Sequence, residues 1–573
     1  MTGAARDRPW GPFATRIAPV AVLAITLPPL YGLWRTQGTP MEEGFMLTFP
    51  EMVLNGRVPN RDFLHLYGPG SLWVLAAVFA VFGVNLAAER AVGYLQHLGV
   101  AFGVHRLLRP WGPWVAVGGG ALSALIVLTP SGLSAMAWVG GVALGLWSLA
   151  IALETAEAEP SSRGARRGAF VAGALAGAAL LYRLDLVLAV GASGTVVWLG
   201  LDGRQRARLL RGFALGCSPY LVHLAMAGAR AALEGLVLQP VFDLRGGRRL
   251  PIPPNPRHFD GFLQGAGALD QPPWPLPAPS GPRQLWLWFF ALLAVGVVLL
   301  AAGIVSRRRT GARRMLAIAC FSVGLFPQAL QRPDSTHLAW VSCVAFSVLP
   351  AAVIELGRAR HPSWALRARG RLLTPAAIAV PAALLLVVAP FFTFRSYAEA
   401  TAQSFGRRRG ELTIEHAGRT FPYKRHDAVA AVREMLPVVD RLTRPGQRLI
   451  VGPGDLRKTP YSEAFLYYLL PDLVPGTRFI EMDPGVANAP SSGLAQEIAR
   501  ADVVILSTIR DDWHEPNDSL RFGSPEPGRE LARRFCLVGS FGVDPFDPDR
   551  GLYELYIRCS VAGETPEPAA TRE

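Results

Sequence analysis

The chain has 573 residues, of which 51% are hydrophobic and only 17% are charged, and its formal net charge is +14. This composition excludes an ordinary soluble protein and the length excludes a single domain, so the sequence predicts a polytopic α-helical membrane protein. The positive charge is almost all arginine and falls in short clusters between apolar runs, as in cytoplasmic loops of membrane proteins, so we expect no nucleic-acid partner.

The first apolar run, at about residues 17–35, lacks a convincing signal-peptidase site and is predicted to be an uncleaved membrane anchor. Further runs come near the length of about 20 residues that crosses a bilayer. They lie at 88–107, 112–129, 136–153, 168–182, 184–201, 210–228, 284–304, 314–330, 338–356 and 373–392. Together these runs predict about eleven spans.

One more apolar run, 71–87, decides which side of the membrane each loop faces. Short arginine-rich loops stay in the cytoplasm, so all of the basic loops should lie on the same side of the membrane. They do so only if the run 71–87 does not cross the membrane. Those loops are the amino terminus, 106–111, 154–167, 202–211, 306–314 and 358–371. We therefore predict a plasma-membrane protein with a cytoplasmic amino terminus, in which 71–87 lies at the outer interface or re-enters.

The outer loop at 36–87 begins with an acidic pair, Glu42 and Glu43. A carboxylate just beyond a span, partly desolvated by lipid and helices, is suited to accept a proton from a sugar hydroxyl. An acid that merely caps the following helix is the structural alternative. Adjacent residues of a helix point about 100° apart, so only one of the two is expected to face a given pocket.

Four more polar side chains of this loop are candidates for substrate binding: Arg61, Asp62, His65 and Tyr67. An arginine beside a carboxylate can hold hydroxyl groups or a phosphate, or it can brace the loop as an internal salt bridge.

The order of motifs in this loop is an acidic pair, glycine, an amphipathic helix, G-x-x-P, R-D-F and Y-G-P-G-S. It resembles the first extracytoplasmic loop of the GT-C glycosyltransferases, especially bacterial members, here of actinobacterial type, related to the protein mannosyltransferase and aminoarabinose transferase group. The resemblance implies two helices along the membrane, at 42–56 and 69–86. The family usually has aspartate, often as Asp-Glu, as the base. Here Glu42 takes that place, so the choice between Glu42 and Glu43 stays open.

The resemblance implies an enzyme that transfers a sugar, with inversion, from a polyprenyl-phosphate donor to an extracytoplasmic glycan, lipid or protein. Phosphate is a fair leaving group, so a divalent metal is allowed but no cofactor is required. The five cysteines show no metal-ligand spacing.

Two later outer turns carry charge next to apolar spans. Arg183 and Asp185 interrupt a hairpin, and charges at membrane depth are costly enough to imply a partner or a function. A second turn holds Arg332, Asp334 and His337. In the resembled family, basic residues of such turns bind the lipid phosphate, which makes both arginines candidates. Mutual neutralisation of Arg183 and Asp185, and a structural role for His337, are the alternatives.

The long outer loop at 229–283 is rich in proline and contains the basic cluster Arg245, Arg248 and Arg249. Such a cluster can close over a phosphate head group, and Arg245 is a candidate for that role. A solvated run of loop charges is the alternative.

The membrane domain is predicted to cover residues 1–392, and a soluble extracytoplasmic α/β domain to cover 393–573, because apolar runs shorten there and charge rises. Helical or strand periodicity marks its elements. Helices are predicted at 426–443 and 492–500, and strands at 447–453, 501–508 and 552–559. Outside the cytoplasm, Cys536 and Cys559 would be able to form a disulfide.

Two other classes of membrane protein stay open. One is a transporter or lipid flippase, for which a midplane site, paired half-helices and internal repeats are typical and are not seen in the sequence. The other is a non-catalytic cell-envelope assembly protein that uses its carboxy-terminal domain as a binding module.

Overall fold

The computed structural model describes residues 12–36, 38, 40–159, 162–266, 277–360, 373–407, 412–459, 462–511, 515–544, 547 and 550–559. Most of the predicted basic loop at 358–371 and the amino-terminal Arg6 and Arg8 lie outside these residues.

Helices follow one another from the amino terminus to residue 404. They are α1 Pro12–Arg35, α2 Pro40–Leu54, α3 Gly70–Phe82, α4 Leu86–Leu108, α5 Pro113–Ser131, α6 Ala137–Glu157, α7 Arg163–Tyr182, α8 Val187–Trp198, α9 Gly203–Cys217, α10 Pro219–Ala227, α11 Ala229–Leu233, α12 Leu244–Arg248, α13 Phe262–Ala266, α14 Gly281–Thr310, α15 Arg314–Gly324, α16 Phe326–Gln331, α17 Ser335–Arg360, α18 Leu373–Val388 and α19 Ser396–Ser404. The stretches Glu234–Asp243 and Phe391–Arg395 are π-helical. The long outer loop is therefore helical from residue 229 to residue 248.

The carboxy-terminal domain, called the tail below, alternates strands and helices. They are β1 Leu412–His416, β2 Arg419–Tyr423, α20 His426–Leu442, β3 Arg448–Pro453, α21 Phe465–Leu469, β4 Val474–Pro475, α22 Leu494–Arg500, β5 Val503–Ser507, α23 Glu526–Arg534, β6 Phe535–Phe541 and β7 Tyr553–Arg558.

Helices occupy all of the predicted span positions, but they differ in length and apolarity. Four in the described part of the chain are long and apolar enough to cross a membrane: Ala137–Glu157, Gly203–Ala227, Gly281–Thr310 and Ser335–Arg360. The pair Ala379–Val388 and Phe391–Ser404, bent by 99°, adds a fifth if it counts as one span. The chain is therefore a membrane protein, and the count of about eleven spans stays a prediction.

The predicted basic loops meet at one end of the helix bundle, which we call the basic end. The Arg106 guanidinium lies 2.7 Å from the Glu154 carboxylate, and that of Arg314 lies 2.9 Å from Glu157. The Gln205 side chain donates to the Thr155 carbonyl at 3.3 Å. Loops between four different pairs of helices thus share one end, as the charge pattern predicted.

Helix α3 begins and ends at the opposite end of the bundle. Just before it, the Gly68 amide donates to the Tyr182 carbonyl at 3.1 Å. Just after it, Glu89 in the first turn of α4 accepts from the Ala135 amide at 2.6 Å, in the turn between α5 and α6. Both ends of α3 thus lie at the same end of the bundle, which agrees with a segment that does not cross, and the sidedness of 71–87 stays a prediction. The face of α3 that carries Val81 is apolar and exposed, as suits contact with lipid.

Helix α2 is buried between α3 and the tail, whereas the resemblance implied a helix lying along the membrane. A Cβ at Gly44 would lie 2.6 Å from the Phe465 backbone nitrogen, so only glycine permits this approach. The Thr48 hydroxyl lies 3.3 Å from the Ala464 carbonyl oxygen. Phe49 joins the apolar core of the tail, because apolar side chains lie on all faces of α2.

The tail is an α/β domain, as predicted. Its five-stranded sheet has the order β4-β3-β5-β7-β6, with β3 parallel to β4 and β5, and with β7 antiparallel to both of its neighbours. All five predicted helices and strands are present. The hairpin of β1 and β2 and the strand β6 are additions. A disulfide joins Cys536 to Cys559 across the β6–β7 edge.

The predicted domain boundary at 392/393 falls inside the bent helical stretch. Helix α19 packs along α1, where the Tyr397 hydroxyl donates to the Ile25 carbonyl at 2.6 Å and the Gly32 amide donates to the Ser404 hydroxyl at 2.7 Å. The sheet domain follows at β1.

Candidate functional site

All of the predicted site residues lie at the end of the bundle opposite the basic end, where the tail sits. We call it the tail end.

Glu43 is held in a buried ion pair. Its carboxylate accepts two hydrogen bonds from the Arg90 guanidinium, at 2.7 and 2.8 Å, and the two side chains are 0% and 1% exposed. Arg90 also donates to carbonyl oxygens at the end of α1, including that of Thr36 at 2.8 Å. Glu43 therefore ties the outer loop to the first and fourth helices, and it has no free oxygen directed toward a substrate.

Glu42 is the half-buried neighbour, one position earlier on α2. Among the described residues, its carboxylate makes no hydrogen bond or ion pair. It lies in electrostatic contact with Arg510 and Glu481, both from the tail. The first turn of α2 thus presents an unengaged carboxylate to the junction between the bundle and the tail.

Arg248, at the end of α12 in the long outer loop, reaches across that junction. Its guanidinium donates to Glu481 at 3.2 Å and forms an ion pair with Asp483. Burial raises the pKa of Glu481, Arg248 opposes that shift, and Glu42 adds to it. An arginine of the basic cluster therefore neutralises two tail carboxylates close to Glu42.

Arg183 is buried in an aromatic cage. Its guanidinium carbon lies 4.1 Å from the centre of the Tyr67 ring and 5.3 Å from that of Trp138. It donates twice to Asp185, at 3.0 and 2.5 Å, and Asp185 also accepts from the Gln328 amide. The structure brings Tyr67, Arg183 and Asp185 together, with Arg183 held rigidly.

The turn before α17 holds Arg332, Asp334 and His337. Asp334 caps the helix, because its carboxylate accepts from the His337 amide at 2.9 Å and lies 2.8 Å from the imidazole Nδ1. Burial acts to raise the pKa of Asp334, but His337 and Arg332 outweigh it and lower the pKa. Half-buried Arg332 also lies in electrostatic contact with Glu515 of the tail.

These groups form one continuous surface. Tyr67 packs against the cluster that contains Leu244 and Met482, which flank Arg248 and the two tail carboxylates. The Leu250 amide donates to the Gln331 carbonyl at 3.0 Å, which joins the outer loop to the turn before α17.

Arg61, Asp62 and Arg245 lie apart from these groups. Arg61 and Asp62 form a local ion pair at 2.8 Å, with 49% and 30% of their side chains exposed, and Arg61 also donates to the Met226 carbonyl. The pair braces the loop, which was the structural alternative. Arg245 is exposed on α12.

His65 is fully buried between Phe49 and Tyr67, with ring centres 5.3 and 5.5 Å away. Burial lowers its pKa from 6.5 to about 3, so the imidazole is neutral in the folded protein. A depressed pKa contributes stability above 6.5 that is lost as the pH falls. Between pH 7.5 and 5, we expect the protein to lose about 2 kcal/mol through this group.

The test of this expectation is the thermal unfolding midpoint of His65→Leu and of the wild type in detergent at the two pH values. The variant should show a smaller acid-induced decrease. Equal decreases in both proteins would contradict the assignment.

Several residues of this surface were missed from the sequence. Arg90 had a usable signal, because it is a charge within a predicted span. Glu481, Asp483 and Arg510 follow short strands in the tail without any motif, and only long-range packing brings them to the outer loop. Within the described residues, no three His, Cys, Asp or Glu side chains are grouped to hold a metal ion.

Solved structures of three proteins are similar to this chain. ArnT from Cupriavidus metallidurans, bound to undecaprenyl phosphate, has a TM-score of 0.50 and 14% identity over 96% of this chain and 99% of that chain. The archaeal oligosaccharyltransferase AglB from Archaeoglobus fulgidus has a TM-score of 0.47 and 14% identity over 93% of this chain and 74% of that chain. Arabinofuranosyltransferase AftD from Mycobacteria has a TM-score of 0.39 and 14% identity over 96% of this chain and 42% of that chain. No family model and no curated protein sequence matches the chain.

The chain therefore has the fold of ArnT, including both the helix bundle and the tail. The resemblance to the GT-C glycosyltransferases, seen in the first outer loop, is confirmed at the level of the fold.

Proposed function

We propose that the protein is a membrane glycosyltransferase that transfers a sugar, with inversion, from a polyprenyl-phosphate donor to an extracytoplasmic glycan, lipid or protein. The observation that carries this proposal is the fold shared with ArnT over nearly the full length of both chains, in a structure that contains undecaprenyl phosphate. The unengaged carboxylate at the bundle–tail junction supplies the chemistry.

Glu42 is the general base in this proposal. Its carboxylate takes the proton of the acceptor hydroxyl while that oxygen attacks the anomeric carbon of the sugar. The bond from the anomeric carbon to the phosphate oxygen breaks, and polyprenyl phosphate leaves with the electron pair. Attack opposite to the leaving group inverts the anomeric configuration. Glu43 is unsuited to this role because both of its oxygens accept from Arg90.

Arg332 is the proposed ligand of the donor phosphate. It is half-buried beside apolar helices at the tail end, where the head group of a lipid in the outer leaflet would arrive. Arg183 is already bound on both sides by aromatic rings and by Asp185, so we assign it to shaping the site. Phosphate leaves without a strong acid, so we propose that a metal is not required.

The orientation that this proposal needs places the tail outside the cytoplasm. The disulfide between Cys536 and Cys559 supports that side, because disulfides persist in oxidising compartments. The arginines at the basic end support a cytoplasmic location for the opposite end.

Binding of undecaprenyl phosphate to the purified protein in nanodiscs tests the donor site. We expect Arg332→Gln to weaken binding about tenfold or more, because a charge-assisted hydrogen bond is worth about 1.5–3 kcal/mol. Arg61→Gln is the matched control, since it removes an arginine from the tail end that is paired locally. Undecaprenol, which lacks the phosphate, should bind both variants equally well.

Loss of affinity for undecaprenol in Arg332→Gln would show that the substitution damages the lipid groove and not a phosphate contact. Unchanged affinity of Arg332→Gln for undecaprenyl phosphate would remove Arg332 from the site.

A further inference from the structure

We propose that Glu515 of the tail sets the charge preference of the donor-phosphate site, so that the site favours the sugar-bearing lipid over the polyprenyl phosphate left after transfer. This inference rests on the proposed function, in which Arg332 binds the donor phosphate. It gives the tail a residue that determines specificity and promotes release of the lipid product.

The two lipids differ in charge. A sugar linked to polyprenyl phosphate makes a phosphodiester, which carries one negative charge at neutral pH. Transfer of the sugar leaves a phosphomonoester, whose second ionisation has a pKa of about 6, so its charge at pH 7 is about −1.5 to −2. A site that accepts one negative charge but repels a second therefore binds the substrate and releases the product.

Hydrogen bonds hold the tail segment that carries Glu515 against the long outer loop. The Leu263 amide donates to Glu515 Oε1 at 2.8 Å. Two residues later, the Asn517 side-chain amide donates to the Arg249 carbonyl at 3.0 Å. Residues 515–517 are therefore joined to the outer loop at two separate points.

The same two parts of the outer loop are bonded to the turn before α17. The Leu250 amide donates to the Gln331 carbonyl at 3.0 Å, and the Gln264 side-chain amide donates to the Pro333 carbonyl at 3.3 Å. Arg332 lies between these two acceptors in the chain. Tail, outer loop and turn thus form one hydrogen-bonded unit around Arg332.

Glu515 brings a buried carboxylate to this unit. The residue is 5% exposed, and its Oε2 accepts no hydrogen bond from the described residues. The carboxylate lies in electrostatic contact with Arg332 and Asp334. Asp334 is already engaged by the backbone amide and the imidazole of His337. Glu515 is therefore the carboxylate beside Arg332 whose charge acts on a phosphate bound there.

The charge of Glu515 changes in the same pH range as that of the phosphomonoester. Burial raises the pKa of Glu515 to about 7, against the opposing effects of the Leu263 amide and Arg332. The carboxyl group is therefore mostly neutral at pH 6 and ionised at pH 8.5. Because the phosphomonoester gains its second charge over the same range, repulsion between the two groups increases with pH. A phosphodiester keeps one charge throughout.

Other charged and titratable groups lie on the elements packed against Glu515. Within the described residues they are Arg332, Asp334 and His337 of the turn, Arg245, Arg248, Arg249, Arg257, His258 and Asp260 of the outer loop, and Asp511, Asp518 and Arg521 of the tail. All of them are retained in Glu515→Gln. A comparison of that variant with the wild type therefore isolates the carboxylate of Glu515.

The test compares the binding of two lipids to the full-length protein in nanodiscs of zwitterionic phospholipid, at pH 6 and pH 8.5. The lipids are undecaprenyl phosphate, a phosphomonoester, and its methyl ester, a phosphodiester. In the wild type, the affinity for the monoester relative to that for the diester should fall about tenfold from pH 6 to pH 8.5, because like charges at one site repel.

Glu515→Gln keeps an oxygen that can accept from the Leu263 amide but has no charge, so its affinity ratio should not fall. At pH 8.5 it should bind the monoester about tenfold more tightly than the wild type does. Glu515→Asp keeps the charge and should retain the fall. Asp518→Asn is the matched control, because Asp518 is a carboxylate of the same tail segment that is 49% exposed and pairs with Arg521 at 3.2 Å. Its ratio should follow that of the wild type.

An equal fall of the ratio in the wild type and in Glu515→Gln would overturn the proposal. So would a change in affinity of the same size for both lipids in Glu515→Gln, which loosening of the outer loop predicts. Should Glu515→Gln fail to fold, the wild type alone decides: Arg332 without an opposing carboxylate predicts a ratio that rises with pH, so a rising or constant ratio would also overturn the proposal.

Failure of the proposed function has a separate signature. Wild-type protein that binds both phospholipids no more tightly than undecaprenol would refute the donor site itself, and this proposal with it. Binding that depends on Arg332 but is unchanged in Glu515→Gln would refute the role of Glu515 alone.

Discussion

Glu42→Gln is expected to slow sugar transfer by about 10²–10⁴-fold, the usual contribution of a general base, without lowering the stability of the protein. The amide has the same size but cannot accept the acceptor's proton. Stability should be unchanged because the carboxylate makes no hydrogen bond or ion pair with the described residues. Transfer rate and thermal unfolding midpoint are to be measured on the same preparation.

Glu51→Gln is the matched control, because Glu51 is another carboxylate of α2 and pairs with Arg419 of the tail at 2.6 Å. It should keep the transfer rate within a small factor of the wild type. A Glu42→Gln protein that is correctly inserted and transfers sugar at the wild-type rate would eliminate Glu42 as the base.

Arg90→Leu is expected to destabilise the protein by about 3–5 kcal/mol, the cost of leaving one member of a buried ion pair without its partner. The variant strands the Glu43 carboxylate, which is 0% exposed, and frees carbonyl oxygens at the end of α1. The thermal unfolding midpoint of Arg90→Leu in detergent should fall by many degrees, and the midpoint of Glu43→Gln should also fall. Loss of transfer in either variant should follow the loss of folded protein.

Arg61→Leu removes an arginine from the exposed pair with Asp62 and should change the midpoint little, because solvent screens exposed pairs. A stable, inactive Glu43→Gln protein would reverse the assignment of the two glutamates and make Glu43 the base.

Local elements of the fold were predictable because hydrophobic periodicity acts over a few residues. The run at 426–443 has a helical period and forms α20, and the short apolar runs at 447–453 and 501–508 form β3 and β5. The meeting of the basic loops at one end of the bundle was also predictable, since clusters of arginine mark loops that lie on the same side although they are distant in sequence.

Other elements depend on tertiary contacts that leave little trace in sequence. The β1–β2 hairpin turns at Ala417 and Gly418, both of which have a positive φ. Asn-Gly is the usual sequence of such a turn, so Ala-Gly at this position did not predict a hairpin. Burial of α2 under the tail depends on Gly44, which lies against the Phe465 backbone. In the sequence alone, this residue indicates only a glycine that weakens a helix.

Some residues of the candidate site were likewise indicated by local sequence, whereas others are brought to the site only by tertiary packing. The sequence singled out Glu42, Glu43, Arg183 and Arg332 as candidates, because burying a charge beside an apolar span is energetically costly. It left the two glutamates unresolved, because the Arg90 side chain that engages Glu43 comes from another helix. Glu515 was not predicted for the same reason, since only packing of the tail on the outer loop places it near Arg332.

The central claim is that the lipid-linked sugar is cleaved at the tail end of the molecule, and following the lipid tests it most directly. Proteoliposomes that contain the purified protein would receive radiolabelled polyprenyl-phosphate sugars together with a cell-envelope fraction as acceptor. The proposed function predicts that polyprenyl phosphate appears in step with loss of sugar from the lipid phase in the wild type, and not in Glu42→Gln. Movement of the intact lipid-linked sugar between leaflets, without formation of polyprenyl phosphate, would contradict the claim and favour a flippase.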